Sequence, residues 1–141
     1  MKLIQKIKIS VLQIDNEEIQ FQIELTNGIS SSSLDFYGYA DEFKAFATGL
    51  ISFPITISDN IVYELGENIE KWAYYMLLKV YCYEANGHTA IQIIIDNHKE
   101  PPYTNKTEFF ITTVPASLNN LGQLLNDWNP KTKKEITWIA E

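Results

Sequence analysis

The sequence predicts an α+β fold, with a mainly antiparallel sheet of about seven strands and two amphipathic helices packed on it. Three observations lead to this prediction. Apolar and polar residues alternate with a period of two through much of the chain, which is typical of half-buried strands. Two stretches instead place apolar residues at the spacing of an amphipathic helix. The strands also come in runs joined by turns, which favours antiparallel pairing over parallel βαβ units.

The longest strand signal is residues 72–96, which we interpret as a β-hairpin that turns at Asn86-Gly87. A two-residue turn places Ala85 opposite His88 and fixes the remaining pairs. The predicted pairs on one apolar face are Cys82 with Ile91, Val80 with Ile93, and Leu78 with Ile95. The other face mixes tyrosine, aliphatic and polar residues.

Shorter alternating segments are the other candidates from which the about seven strands are drawn. They cover residues 6–12, 18–25, 34–37, 55–57, 61–65, 106–113 and 135–139. Residues 97–105 contain Pro101-Pro102 and show no period, so we expect a surface connection there.

The first predicted helix follows Asp41, since aspartate is a preferred N-cap residue. Its buried stripe consists of Phe43, Phe46, Ala47 and Leu50. Pro54 cannot continue a helix, so we expect the helix to end near Ile51.

The second predicted helix begins near Pro115 and Ser117, because proline is tolerated in a first turn and serine is a common cap. Its buried stripe consists of Leu118, Leu121, Leu125 and Trp128, and Pro130 ends it. Gly122 within the stripe costs about 1 kcal/mol relative to alanine. We expect this glycine to allow a close approach to the sheet.

The 141 residues fit a single domain, residues 1–141, and no Pro/Gly/Ser-rich linker divides them. A chain of this length buries roughly two thirds of the surface that its unfolded form exposes. The lone Cys82 cannot form an internal disulfide, and we expect it to behave as a small apolar residue.

The formal net charge of −7 disfavours nucleic-acid binding, which depends on a basic surface, but it suits a basic protein partner. No apolar run is long enough to cross a bilayer, and the amino-terminal segment carries charges inside its apolar run, unlike a signal peptide. We therefore expect a cytoplasmic protein with no membrane segment.

Catalytic signatures are absent from the sequence, so we expect no enzyme and no cofactor. There is no Gly-x-Ser-x-Gly motif and no phosphate-binding glycine loop. Asp96, His98 and Glu100 alternate at a strand end as metal ligands would, but three polar residues before a proline pair are also typical of a loop, and we predict no metal site.

The second face of the hairpin is the best candidate for a partner-binding surface, because tyrosine offers a large contact area together with a polar tip. The residues predicted there are Tyr75, Tyr81, Tyr83, Gln92 and His88. An acidic and aromatic stretch could form a rim for a basic partner, and its predicted contact residues are Asp35, Tyr37, Asp41 and Glu42. The alternative is that a helix or a second sheet covers the tyrosines.

Three segments carry a resemblance to a known class of proteins. The runs DFYGYADEFKAFATGLISFP, GHTAIQIIIDN and LGQLLNDW resemble small acidic bacterial proteins that are uncharacterised or act as immunity proteins of secreted toxin systems. The resemblance implies a cytoplasmic protein that blocks a cognate toxin, often a cationic nuclease, through an acidic surface. It identifies no site residues.

The first functional hypothesis is therefore a non-catalytic binding protein, most concretely a toxin-neutralising immunity protein. A second is a small-ligand-binding or sensing domain with a pocket between the helices and the sheet. A third is a structural protein that forms a homodimer through the tyrosine-rich face.

Overall fold

A computed structural model describes residues 3–69 and 71–141 and shows eight strands and two helices in this part of the chain. In chain order they are β1 (Lys6–Asp15), β2 (Glu18–Thr26), β3 (Ser31–Gly38), α1 (Lys44–Ile51), β4 (Asn60–Leu65), β5 (Tyr75–Cys82), β6 (Thr89–Asp96), β7 (Lys106–Thr113), α2 (Pro115–Asp127) and β8 (Glu135–Ile139). The predicted α+β antiparallel class is confirmed, with eight strands where about seven are predicted.

The strands divide between two antiparallel sheets of four strands each. The first sheet has the order β3-β2-β1-β8 and the second has the order β4-β5-β6-β7. Each sheet turns one face toward a common core, as the alternation predicts; in β3, for example, every second residue is buried. The opposite face of each sheet is the outer face.

Aromatic side chains from both sheets and from the ends of the two helices meet at the centre of the core. Phe43, just before α1, lies 5.6 Å from Phe21 of β2 and 5.1 Å from Tyr63 of β4, measured between ring centroids. Trp128, at the end of α2, lies 5.9 Å from Phe21. Residues at the ends of the two helices therefore join both sheets in one core.

The helices also pack against each other, and Gly122 makes this contact possible. A Cβ atom on Gly122 would lie 2.8 Å from Leu50 Cβ and 2.9 Å from the carbonyl oxygen of Ala47, both in α1. Asn119 of α2 fixes the end of α1, since its Nδ2 donates to the carbonyl oxygens of Leu50 and Phe53. The predicted close approach at Gly122 is thus to the other helix, and the prediction that it faces the sheet is wrong.

The central hairpin forms, but its register differs from the prediction by two residues. Val80 lies opposite Ile91, and Cys82 lies opposite Thr89. The loop has four residues instead of two, because Tyr83 N donates to His88 O and Gly87 N donates to Glu84 O inside it. Only Gly87 of this loop has a positive φ, of 86°, so a type I turn suits the loop better than the predicted type I′ turn. Face assignments are unchanged, since a shift of two residues keeps each side chain on its side of the sheet.

Three local predictions are wrong for reasons of hydrogen bonding. Residues 55–57 form a turn, because Asp59 Oδ2 accepts from the backbone N–H groups of Ile55 and Thr56. These hydrogen bonds, above all the one from the Thr56 backbone, lower the pKa of Asp59.

The other two wrong predictions concern the helix caps. Asp41 does not cap α1, which has Phe43 at its N-cap position. Ser117 lies inside α2, where its hydroxyl accepts from the backbone N–H of Glu141.

Of the helices in the described residues, α1 has 8 residues and α2 has 13, and neither is long and apolar enough to cross a membrane.

Candidate binding surfaces

The outer face of the second sheet, which we call the tyrosine face, is open to solvent over most of its area. Along β5 the inward residues Met76, Leu78 and Val80 are buried, whereas the outward residues Leu77, Lys79 and Tyr81 are only half-buried. The face is thus uncovered at its centre, and the alternative of a covering helix or sheet does not apply there.

Four apolar side chains form an arc across all four strands of the tyrosine face. Leu77 pairs directly with Ile94 at the centre. Val62 of β4 and Phe110 of β7 lie one diagonal step away on either side, and they are 46% and 42% exposed. We call these four residues the apolar arc. Val62 and Phe110 are missing from the predicted site, although both alternate with buried aromatic residues and so could have been placed on this face from the sequence.

Tyr75 is the one predicted tyrosine of this face that is buried. Only 6% of it is exposed, and its hydroxyl donates to Glu64 Oε2 at 2.7 Å. Burial, followed by this hydrogen bond, raises the pKa of Tyr75 to about 12. Tyr75 therefore joins β4 to β5, and its polar tip is already engaged.

The other predicted residues of the tyrosine face are accessible. Tyr81 and Gln92 are half-buried, and the Gln92 side chain donates to Glu108 Oε2 at 2.8 Å. Tyr83 is 45% exposed beside the hairpin loop, where its ring lies 6.0 Å from that of His88. His88 Nδ1 lies 3.1 Å from Glu84 Oε2.

Charged side chains of both signs surround the apolar arc. Glu64 and Glu108 end the row that contains Leu77 and Ile94, and both are exposed. Glu84 adds a third exposed carboxylate at the hairpin loop. Lys79 of β5 and the exposed Lys106 of β7 are the basic side chains among the outward residues of the four strands. The surface therefore combines an apolar centre with a charged rim.

The predicted acidic rim lies apart from the tyrosine face. Asp35 and Tyr37 are exposed on the outer face of the first sheet, and Asp41 is exposed in the turn before α1. Glu42 points inward, where Glu42 Oε2 accepts from the Tyr63 hydroxyl at 2.9 Å. Burial and the neighbouring Glu42 carboxylate raise the pKa of Tyr63. Glu42 therefore has a partner inside the protein, and Asp35 Oδ1 accepts from Gln22 Nε2 at 3.0 Å, while the side chains of Tyr37 and Asp41 are exposed to solvent.

The polar residues at the end of β6 are engaged with the protein itself. His98 Nδ1 lies 2.6 Å from the carbonyl oxygen of Trp72, and His98 Nε2 lies 3.6 Å from Asp96 Oδ2. Asp96 is buried, whereas Glu100 is exposed. Within residues 3–69 and 71–141, no three His, Cys, Asp or Glu side chains are grouped as metal ligands.

A search with protein-family models finds no match to this chain, and no curated protein matches it. Among solved structures, the plant transcriptional regulator PBF-2 aligns with a TM-score of 0.46 and 10% sequence identity. The alignment covers 94% of this chain and 85% of that chain. A likeness at this level establishes neither a shared fold nor a shared function.

Proposed function

We propose that this chain is a non-catalytic binding protein that docks a basic partner protein on its tyrosine face, and most concretely that it is an immunity protein which neutralises a bacterial toxin. The single observation behind this proposal is the open apolar arc with carboxylates around it. Protein interfaces typically combine an apolar centre with a polar rim, and contiguous exposed apolar residues mark such sites.

The size of the tyrosine face suits a protein partner. Four strands about 4.8 Å apart and about eight residues long, at about 3.3 Å per residue, give a face of roughly 500 Å² in projection. A standard interface takes about 800 Å² of accessible surface from each partner. The corrugated face together with the hairpin loop provides an area of this order.

Charge supports a basic partner. The chain carries a net charge of −7, and the exposed carboxylates of Glu64, Glu84 and Glu108 lie around the apolar arc together with Lys79 and Lys106. Opposite charges on two proteins speed their encounter and disfavour wrong partners. The toxin as the particular partner rests on the resemblance of residues 35–54, 87–97 and 121–128 to immunity proteins.

The two other functional hypotheses have less support. A ligand pocket between helices and sheets would need the space that Phe21, Phe43, Tyr63 and Trp128 fill. A homodimer through the tyrosine face would bring together two chains that each carry a net charge of −7. A basic protein partner avoids this repulsion.

The test begins with the gene immediately upstream in the source genome. Its product is expressed in a bacterial host with and without this chain, and growth is measured. We expect growth arrest by the upstream product alone and rescue by co-expression. The dissociation constant of the purified pair is then measured by calorimetry.

Two double variants locate the binding surface. Val62→Ser with Phe110→Ser removes two side chains of the apolar arc that are 46% and 42% exposed. Leu12→Ser with Ile14→Ser is the matched control on β1, where the side chains are 47% and 42% exposed. Removing two contacts of the apolar arc costs about 2–4 kcal/mol, so we expect binding about 30- to 900-fold weaker in the first variant and unchanged in the control. A harmless upstream product, or full rescue by the first variant, contradicts the proposal.

A further inference from the structure

One edge of the first sheet is an open strand with regularly spaced backbone groups. Asn27 N donates to Ser30 O at 3.1 Å and closes the β2–β3 hairpin, and hydrogen-bonded pairs then alternate along the ladder. It follows that the N–H and C=O groups of Ser31, Ser33 and Asp35 point away from β2. Tyr37 N, two residues further, confirms this orientation because it donates to the Tyr74 hydroxyl instead of to β2.

The outward groups of Ser31, Ser33 and Asp35 have no hydrogen-bond partner within the part of the chain that the structure describes. At the edge strand β7 of the second sheet, by contrast, outward backbone groups do have hydrogen-bond partners. There the Gln5 side chain donates to Thr112 O and accepts from Thr112 N, at 2.8 and 3.2 Å. Folded proteins commonly block edge strands in this way, because an open edge invites another strand. With eight residues, β3 is also longer than the edge strands β4 and β8.

A groove runs beside the open edge. A cavity of about 330 Å³ lies beside β3 and is lined by Asp35 and Lys99 among others, whereas a cavity of about 580 Å³ spreads over the outer face of the first sheet, where Lys6 and Lys8 of β1 line it together with Ser31. The two cavities share Ser33 and Asn105, so they adjoin along β3. Space for a single extended chain therefore lies next to the unpaired backbone groups.

We propose that the edge of β3 binds an extended peptide segment of a partner protein, which adds to the first sheet as a fifth strand. Main-chain hydrogen bonds to Ser31, Ser33 and Asp35 would hold the peptide, as in other cases of strand addition. Among the described residues, Lys99, which lines the cavity beside β3, has no carboxylate within 4.0 Å. It favours a peptide with at least one acidic side chain. The site is separate from the tyrosine face and goes beyond the proposed function.

The test uses random twelve-residue linear peptides displayed on phage and selected on the full-length protein. Enriched peptides are synthesised and their dissociation constants measured on two variants. Ser33→Pro removes one outward N–H and adds a ring to the edge, while the β2–β3 ladder keeps its hydrogen bonds. Thr137→Pro is the matched control, since Val11 N donates to Lys134 O and Ala140 N donates to Gln5 O, so that Thr137 also points outward, on the other edge of the same sheet.

We expect the enriched peptides to contain acidic residues and to bind Ser33→Pro about tenfold more weakly or worse, with no change for Thr137→Pro. In the unsubstituted protein, saturating peptide should slow the hydrogen exchange of the Ser31, Ser33 and Asp35 amides. This second measurement decides the matter if Ser33→Pro fails to fold. The double variant at Val62 and Phe110 should bind the peptides normally, which separates this site from the tyrosine face.

Several outcomes would overturn the inference. They are a selection without enriched peptides, peptides that bind Ser33→Pro unchanged, and hydrogen exchange that slows elsewhere. A dimer in sedimentation that Ser33→Pro dissociates would show that a second copy of this chain, and not a partner's peptide, occupies the edge.

Discussion

Replacing Gly122 by alanine tests the contact between the two helices. Gly122 lies in the middle of α2, where alanine is the better helix former by about 1 kcal/mol. If helix propensity alone mattered, the substitution would stabilise the protein. The structure predicts instead that the substitution destabilises the protein.

The added methyl group has no room against α1. It would lie 2.8 Å from both the backbone nitrogen of Ile51 and Leu50 Cβ. Carbon atoms pack best at about 3.5–4.0 Å, so the helices must separate by roughly 0.7 Å. Backbone atoms cannot rotate away from the contact, and such overpacking costs about 1–3 kcal/mol. After the gain in helix propensity, we expect a net destabilisation of about 1 kcal/mol, and at most about 2.

Gly49→Ala in α1 is the matched control. A Cβ on Gly49 would meet Ile61 Cγ2 and Cδ1 at 2.9 and 3.0 Å, which are side-chain atoms that can move. We expect this variant to lie between neutral and about 1 kcal/mol more stable than the original chain. Urea unfolding followed by tryptophan fluorescence measures both, since Trp128 is buried at the end of α2.

The relative stability of the two variants shows whether the helix contact at Gly122 is as close as the structure indicates. Gly122→Ala should have the lower urea midpoint, and its melting temperature should fall by roughly 4 °C for each kcal/mol lost. If Gly122→Ala is as stable as the original chain, or more stable than Gly49→Ala, the helices are not held at the close distance argued above.

Two further predictions concern the sheet faces and the alkaline limit of stability. Ile93→Asp should unfold the domain, with a loss of more than about 4 kcal/mol, because Ile93 is fully buried and an unpaired charge there is very costly. Tyr81→Ala, on the half-buried tyrosine face, should cost less than about 2 kcal/mol; comparable losses in circular-dichroism melts of both variants would show that this face is covered. Tyr75 has a folded-state pKa of about 12, above the ordinary value of about 10, so its contribution to stability is complete below pH 10 and is lost as the pH rises toward 12. The difference in unfolding free energy between the original chain and Tyr75→Phe should therefore shrink across that interval, and a difference independent of pH would contradict the assigned pKa.

The accessibility of the candidate site was only partly predictable from the sequence. Alternation placed Tyr81 and Gln92 on the outer face of the hairpin, and the structure agrees. It gave Tyr75 the same face but could not show its burial, because the partner, Glu64, comes from another strand. Glu42 is a similar case, since its inward direction depends on Tyr63, which lies 21 residues away.

The sequence was sufficient to predict the ends of those elements whose ends are set by nearby residues. Strand β7 spans Lys106–Thr113 as predicted, and α1 ends at Ile51, ahead of Pro54. Alternation also assigned core and outer faces correctly, because side-chain direction follows from backbone geometry alone. These features need no knowledge of distant residues.

Register and sheet membership were decided by the tertiary structure. A shift of two residues leaves every side chain on its own face, so the pattern could not distinguish Val80 opposite Ile93 from Val80 opposite Ile91. Likewise, nothing local to β8 shows that it pairs with β1, more than a hundred residues away, and thereby completes the first of two sheets. Such pairings are chosen by how well the whole set of side chains fills one core, and that is a property of the folded chain and not of any segment.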